Sequence, residues 1–432
     1  MIAEPPDDST LLLRAFDSGD TYVSFRWLDR ADSPTVHRIV SSTRDRGLAA
    51  LDRALITNTG DGDADPVRSA LTGALVRPVS EYSLNVRLTD MVFPHSVRQE
   101  IVERAARDRV TVRITPSRML ARIPFELAVI DDPRRLIEIV DVCYEPPASV
   151  HVGRARIPEC WNSSRAGRPT VYVIDPDLPK ASGLGQVLGK MHPHGLPTNA
   201  EAFVERIRSR PKSTYSGVGT VVSRWDLSDD LRDDPGRLVY FGHVSSTLDE
   251  PGSASLHLSD DANEPGYTDT VNQAHRPLSA LDLMLGTAFD EAGEAPESGP
   301  GHTIWPMPSR VAIIACEGGV DYRSSETFGL VMAMFNSGAE LVTTTRWTLA
   351  SDSAFEKYAS HTAIPGPTTE LALAVDETHE APDPVRALAQ WQRRKLTAWR
   401  DNPGPATSPL TWAAAACHVC PPREVLPPRR RD

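Results

Sequence analysis

Apolar residues in the second half of the chain follow two patterns. Short runs that are apolar throughout and rich in β-branched residues are typical of buried strands, whereas apolar residues three or four positions apart are typical of helices. The helical pattern covers 198–207, with Thr198 or Asn199 as a candidate N-cap, and 324–336. Buried strands are predicted at 171–175, 220–225, 238–243, 311–315 and 341–347.

Buried strands separated by helices favour a mostly parallel sheet that is covered on both faces. We therefore predict an α/β fold, a three-layer sandwich, over residues 165–420. In such folds the functional residues collect beyond the carboxyl ends of the strands.

The first half of the chain predicts a smaller α/β subdomain over residues 1–160. Its pattern indicates a hairpin, a helix and a further strand, and two prolines at 146–147 together with the stretch 163–169 mark the boundary. Residues 421–432 read as a disordered tail. The hairpin strands, the helix and the last strand are predicted at 11–16, 22–27, 98–107 and 110–114.

Three segments rich in Asp, Glu, Gly and Pro predict loops at 259–276, 286–302 and 364–384. The first two lie between the strands that end in the candidate catalytic residues described below. Each of these two is either a solvated surface insertion or a lid over the site.

Composition narrows the possible partners. The chain has 432 residues, a formal net charge of -12 and a pI near 5.5, so nucleic acid and anionic membranes would be repelled and neither is expected as a partner. The sequence lacks an apolar run of about eighteen residues. Its first ten residues do not resemble a secretory signal, and we expect a cytoplasmic protein.

The five cysteines do not predict a disulfide framework, since their number is odd and they are scattered. Cys417 and Cys420 have the spacing of half a zinc site, but zinc needs four ligands and no second pair is visible. No phosphate-binding glycine loop or dinucleotide fingerprint occurs. We therefore expect neither a metal nor another cofactor.

Two buried strands end in residues with nucleophilic or acid–base chemistry. Residues 238–243 end in Gly242-His243, and residues 311–316 end in Cys316, which two glycines follow closely. A neighbouring imidazole takes the proton of a thiol during attack, and amides on a glycine turn can face an oxyanion. Either residue alone is more often structural. Together, at the ends of similar strands, they predict a cysteine nucleophile with a histidine partner.

Several stretches of this sequence resemble the CHAT family, the caspase-like cysteine peptidases related to separase. The similarity is most specific from 237 to 347 and extends over about 75–417. The resemblance implies a caspase-like form of the three-layer sandwich. The matching stretches are MLARIPFEL at 119–127, PLSALD at 277–282, ACEG at 315–318, FGL at 328–330, SGA at 337–339, LVTTTRWTLASD at 341–352 and SPLTWA at 408–413. The resemblance implies a strand at 408–413.

The resemblance implies a peptidase in which His243 moves the proton and Cys316 forms an acyl-enzyme. It also implies that the backbone amides of Cys316 and Val244 hold the oxyanion. The family commonly has glycine where this chain has Val244, which raises a question about the local geometry.

The resemblance further implies that the strand holding Arg346 and Trp347 pairs with an extended peptide substrate. Trp347 can equally be a core aromatic. Glu317, Gly318 and Asp175 are candidate substrate-binding residues, although acidic residues at strand ends are usually solvated.

The resemblance implies a regulated endopeptidase that cleaves a protein partner in a signalling or defence pathway and that an activating protein controls. The alternative is a catalytically silent peptidase homologue that holds a peptide or protein in the same groove. The resemblance also implies that the first 160 residues form a degenerate peptidase-like subdomain that braces the second.

Overall fold

A computed structural model describes residues 9–56, 65–188, 198–210, 214–246, 250, 252–287, 299–316 and 329–421. Its strands are β1 (Thr10–Ser18), β2 (Asp20–Trp27), β3 (Thr35–Ile39), β4 (Val110–Thr115), β5 (Val129–Asp131), β6 (Arg134–Arg135), β7 (Val140–Tyr144), β8 (Thr170–Ile174), β9 (Thr214–Val218), β10 (Arg237–Ser245), β11 (Ser255–Leu256), β12 (Leu278–Ser279), β13 (Arg310–Cys316), β14 (Leu341–Thr345) and β15 (Ala415–Val419).

Helices connect most of these strands. They are α1 (Ser41–Asp52), α2 (Pro66–Leu71), α3 (Pro78–Val92), α4 (His95–Ala105), α5 (Leu136–Ile139), α6 (Ala148–Gly153), α7 (Ser163–Ala166), α8 (Thr198–Arg208), α9 (Arg224–Arg232), α10 (Ala280–Leu285), α11 (Gly301–Ile304), α12 (Leu330–Asn336), α13 (Asp352–Ala359), α14 (Pro367–Thr378), α15 (Pro384–Asp401) and α16 (Pro409–Trp412).

The second half of the chain forms a mostly parallel sheet in the order β9-β8-β10-β13-β14-β15, in which β15 is antiparallel to β14 and the other neighbours in this order are parallel. The short hairpin of β11 and β12 continues this sheet beside the carboxyl end of β10. The predicted mostly parallel sheet is confirmed.

Helices cover both faces of this sheet, as its alternating side chains show. Along β10, Val239 and Phe241 belong to one hydrophobic core, which includes side chains of α8 and α14. Leu238 and Tyr240 belong to a second core, which includes α9, α10 and α12. Since successive strand residues face opposite sides, the strands must be apolar throughout.

The first half of the chain extends the same sheet. Its strands follow in the order β7-β4-β1-β2-β3, where β1 and β2 are the predicted hairpin and β4 runs parallel to β1. The two halves meet where β15 lies beside β7, through the single register pair of His418 and Tyr144. The division into two domains stays a prediction, but one sheet crosses the proposed boundary.

An ion pair inside the protein reinforces this junction. The guanidinium of Arg346 contacts Glu126 at 2.8 Å and 3.0 Å, the Tyr144 hydroxyl at 2.8 Å, and the carbonyls of Ile123 and Ala415. Burial alone would lower the pKa of Arg346, but Glu126 and Tyr144 together outweigh burial and raise it. Arg346 therefore joins the two halves as a buried cation.

Three sequence predictions differ from the structure. Residues 220–225 are not a strand; β9 ends at Val218, and Ser223 caps α9 with its hydroxyl accepting from the Asp226 amide. The loop predicted at 364–384 contains α14, whose Leu371 and Val375 are fully buried. The strand implied at 408–413 is instead the helical turn α16, and β15 follows it.

Candidate active site

The backbone register of two adjacent strands brings the candidate dyad together. β10 and β13 run parallel, and their register pairs end with His243 opposite Cys316. Neighbouring strands lie about 4.8 Å apart, so the two residues meet at the carboxyl edge of the sheet although 72 residues separate them in sequence. The side chain of Cys316 lies outside the described part of the chain.

Position 242, directly before His243, has no room for a side chain. A Cβ atom at this position would lie 2.8 Å from the Tyr240 hydroxyl and 3.3 Å from Pro176. The Tyr240 hydroxyl in turn contacts the His243 carbonyl at 2.6 Å and the His257 carbonyl at 2.9 Å. The glycine therefore admits a buried tyrosine that fixes the backbone of the histidine.

The peptide unit between His243 and Val244 directs the Val244 amide toward β13, the strand that ends in Cys316. The His243 carbonyl accepts a hydrogen bond from the His257 amide, which lies on the β11 side of β10. In a trans peptide the N–H points opposite to the carbonyl. The Val244 N–H therefore points to the other edge of β10, where β13 ends at Cys316.

The side chain of Val244 lies on the opposite face of β10 from His243. It is 4% exposed and belongs to the core that contains Tyr240 and Leu256. Because it is directed into this core, valine in place of the family's usual glycine leaves the face that carries His243 clear.

A backbone carbonyl orients the imidazole of His243. Nε2 lies 2.6 Å from the Gly185 carbonyl oxygen. Since a carbonyl only accepts, Nε2 carries the hydrogen of the neutral ring, and Nδ1 is left as the basic nitrogen. Nothing in the sequence singled out Gly185, because its contribution is a main-chain atom.

Asp175 holds the loop that carries this carbonyl. Its two carboxylate oxygens accept from the amides of Val187 at 2.8 Å and Leu188 at 2.9 Å, and burial raises its pKa. Asp175 is 3% exposed, so its placement supports a role in positioning the Gly185 loop and not the predicted role of contacting substrate.

Two other predicted substrate contacts also lie in the interior. Arg346 is held in the junction described above, and Trp347 is 4% exposed with its indole N–H donating to the Leu410 carbonyl at 2.8 Å. These placements favour structural roles, which for Trp347 was the alternative reading of the sequence. Glu317 and Gly318 lie outside the described residues.

The segment 259–276, interpreted from sequence as an insertion or a lid, is anchored on two sides. The Arg224 guanidinium donates to the Arg276 carbonyl at 3.0 Å, and the Asn272 amide donates to the Ser182 carbonyl at 2.6 Å. The second contact ties this segment to the loop that carries Gly185. Residues 288–298 of the other predicted loop lie outside the described part.

Two buried histidines beside the site were missed in the sequence. His257 lies across the strand pair from His243, with ring centroids 6.3 Å apart, and it contacts His275 at 3.1 Å. The signal lay in the pattern at 255–258, where polar and apolar residues alternate as in a strand.

The described residues contain no group of three or more His, Cys, Asp or Glu side chains arranged to hold a metal ion. Among these same residues, no helix is both long and apolar enough to cross a membrane.

The mostly parallel sheet, covered on both faces and extended by a second half, defines a caspase-like α/β fold. The CHAT domain model matches residues 84–419, and the chain belongs to this family. No curated protein sequence matches it.

A solved structure has the same fold. Separase in the Saccharomyces cerevisiae separase–securin complex at 3.0 Å aligns with a TM-score of 0.51 and 9% identity, over 96% of this chain and 30% of the separase chain. A second structure of that complex, at 2.6 Å, aligns with a TM-score of 0.45 and 8% identity over the same shares. The predicted caspase-like fold is confirmed, and the chain spans under a third of the separase length.

Proposed function

We propose that this protein is a cysteine endopeptidase in which His243 and Cys316 form the catalytic dyad. The observation that carries the proposal is the register of β10 and β13, which ends with these two residues side by side at the carboxyl edge of the sheet. Membership in a family with a peptidase fold supports the reaction class.

The proposed reaction begins when Nδ1 of His243 takes the proton of the Cys316 thiol. The thiolate then attacks the carbonyl carbon of the scissile bond and forms a C–S bond. As the C–N bond breaks, His243 returns the proton to the leaving amine. Water then hydrolyses the thioester, releasing the acid and restoring the thiol.

Two features of the described backbone support this sequence of steps. The hydrogen bond from Nε2 of His243 to Gly185 holds the ring in the tautomer that leaves Nδ1 basic. The Val244 N–H points toward the cysteine strand, where it and the Cys316 amide would stabilise the oxyanion. One such donor contributes about 2.7–4 kcal/mol to transition-state stabilisation.

We further propose that the substrate is a protein, that an activating protein regulates the site, and that the pathway is one of signalling or defence. The separase of the solved complex is bound to a protein, securin. The formal net charge of -12 also suits a polypeptide better than nucleic acid.

A peptide carrying a thiol-directed acyloxymethyl ketone tests the dyad directly. We expect rapid labelling at Cys316, strong loss of labelling in His243→Ala, and slow labelling at Cys160, which is an exposed thiol outside the site. Mass spectrometry identifies the labelled residue. Equal labelling rates at Cys160 and Cys316 would contradict a primed nucleophile.

A comparison of new amino termini identifies the substrate. Cells with the wild-type protein should contain termini that are absent with Cys316→Ala, while Cys160→Ala should reproduce the wild-type set. Labelling at Cys316 without any such termini, in the presence of candidate activators, would favour the catalytically silent binding module.

A further inference from the structure

A chain of hydrogen bonds runs from the edge of the site into the protein. The Ser245 hydroxyl lies 2.7 Å from Nε2 of His257, and Nδ1 of His257 lies 3.1 Å from Nε2 of His275. Nδ1 of His275 lies 2.6 Å from the carbonyl oxygen of Asp260. The catalytic proposal uses none of these four groups.

The carbonyl at the inner end fixes the direction of every bond in this chain. A carbonyl only accepts, so Nδ1 of His275 carries a hydrogen and Nε2 of its neutral ring is an acceptor. His257 must then donate from Nδ1, which leaves its own Nε2 as an acceptor. The Ser245 hydroxyl is therefore the donor to His257.

Both histidines are neutral around neutral pH, as this assignment requires. Burial is the main cause in each case, and it lowers the pKa of His257 to about 3 and lowers that of His275 as well. With its hydrogen committed to His257, the Ser245 oxygen offers only lone pairs to any further partner.

Ser245 lies next to the proposed reaction site. It is half-buried and stands two residues after His243 on β10, so both side chains project from the same face. The separation along the strand is about 6.6 Å, which equals about two residues of an extended peptide. Val244, between them, faces the opposite core.

We propose that Ser245 is a specificity-determining residue that accepts a hydrogen bond from a main-chain N–H of the substrate, within about two residues of the cleaved bond. This inference rests on the proposed peptidase function. Because Ser245 cannot donate at the same time, the site disfavours a substrate position that presents a carbonyl there or lacks an N–H. Proline and N-methylated residues lack the N–H.

Cleavage of a proteome-derived peptide library tests this selection. For the wild type, proline should be depleted at one position within two residues of the cleaved bond, and Ser245→Ala should relax that depletion. Ser245→Thr keeps a hydroxyl at this strand position and should retain the depletion of proline. The best-cleaved peptide is then resynthesised with one N-methyl group at each position in turn.

N-methylation at the selected position should lower kcat/KM about fivefold for the wild type and for Ser245→Thr, the magnitude of one neutral hydrogen bond. For Ser245→Ala the change should be less than about twofold. Cleavage with the same positional profile in all three proteins would overturn this inference alone. Absence of any Cys316-dependent cleavage would overturn the proposed function, and this inference with it.

Discussion

Replacing Arg346 with methionine would separate a structural role from the substrate-binding role that the sequence suggested. The guanidinium contacts Glu126 from the first half of the chain and the Ala415 carbonyl from the second. Both partners of the ion pair are almost completely buried, with side chains 1% and 3% exposed. Methionine fills a similar volume and removes the charge.

The magnitude follows from burial. Removing one partner of a buried ion pair typically costs about 3–5 kcal/mol, because the other charge stays in the interior without compensation. Domains are stable by only about 5–15 kcal/mol, so Arg346→Met should remove a large share of the stability. Combining it with Glu126→Gln should recover part of the loss, since the double variant no longer buries a lone carboxylate.

Urea unfolding followed by tryptophan fluorescence and by pulse proteolysis measures this effect. The matched control is Arg400→Met, because Arg400 makes a two-point contact with Glu138 at 2.6 Å and 2.8 Å at the surface. Such a surface pair contributes about 0–1 kcal/mol. Equal shifts of the urea midpoint in the two variants would refute the structural role of Arg346. An unshifted midpoint together with a raised KM for Arg346→Met would instead support the substrate-binding role.

Three further changes have defined expected outcomes. Gly242→Ala places a methyl group against the Tyr240 hydroxyl and should lower stability by about 1–3 kcal/mol and slow labelling of the nucleophile. In Asp175→Asn the asparagine can adopt the left-handed backbone at φ 49°, but its side chain has only one oxygen to accept from two backbone amides. Labelling of the nucleophile should therefore slow with little loss of stability. Burial lowers the pKa of His379 to about 3. Below about pH 6.5 the unfolded state therefore binds a proton at this residue that the folded state does not. The free energy of unfolding should fall by about 1.4 kcal/mol for each pH unit below that point. In His379→Gln the urea midpoint should depend less on pH between 7 and 5.

Each of these variants has a matched control in the chain. Gly153→Ala adds a methyl group with no atom within 4 Å and should be neutral. Asp177→Asn changes an exposed carboxylate near Asp175, and His95→Gln changes an exposed histidine. A control that behaves like its test variant would contradict the local explanation, as would a pH slope unchanged by His379→Gln.

The parallel core strands were predictable because burial on both faces leaves an uninterrupted apolar run. Residues 238–243 and 311–315 have this form and correspond to β10 and β13. The shorter β9 was missed, and the polar surroundings of 364–384 concealed α14. Both errors arise where tertiary packing, and not local composition, decides the structure.

The placement of the candidate site residues was predictable only where their side chains mark them in the sequence. His243 and Cys316 follow recognisable strands, so their meeting at one edge could be inferred from parallel pairing. The Gly185 carbonyl could not be inferred, since every residue has one and only the fold selects it. The buried placement of Arg346 could not be inferred for a related reason: the sequence does not reveal that Glu126 lies opposite it.

The backbone supplies much of the described geometry around the two candidate side chains. The Gly185 carbonyl sets the tautomer of His243, and the trans peptide unit before Val244 turns its amide toward the cysteine strand. The Asp260 carbonyl fixes the direction of the hydrogen bonds that run through the two buried histidines to Ser245. Main-chain groups keep their polarity at any pH and are insensitive to most substitutions. The geometry of the site therefore depends on the register of β10 with its neighbours, and changes that shift this register should impair labelling more than changes to single side chains around it.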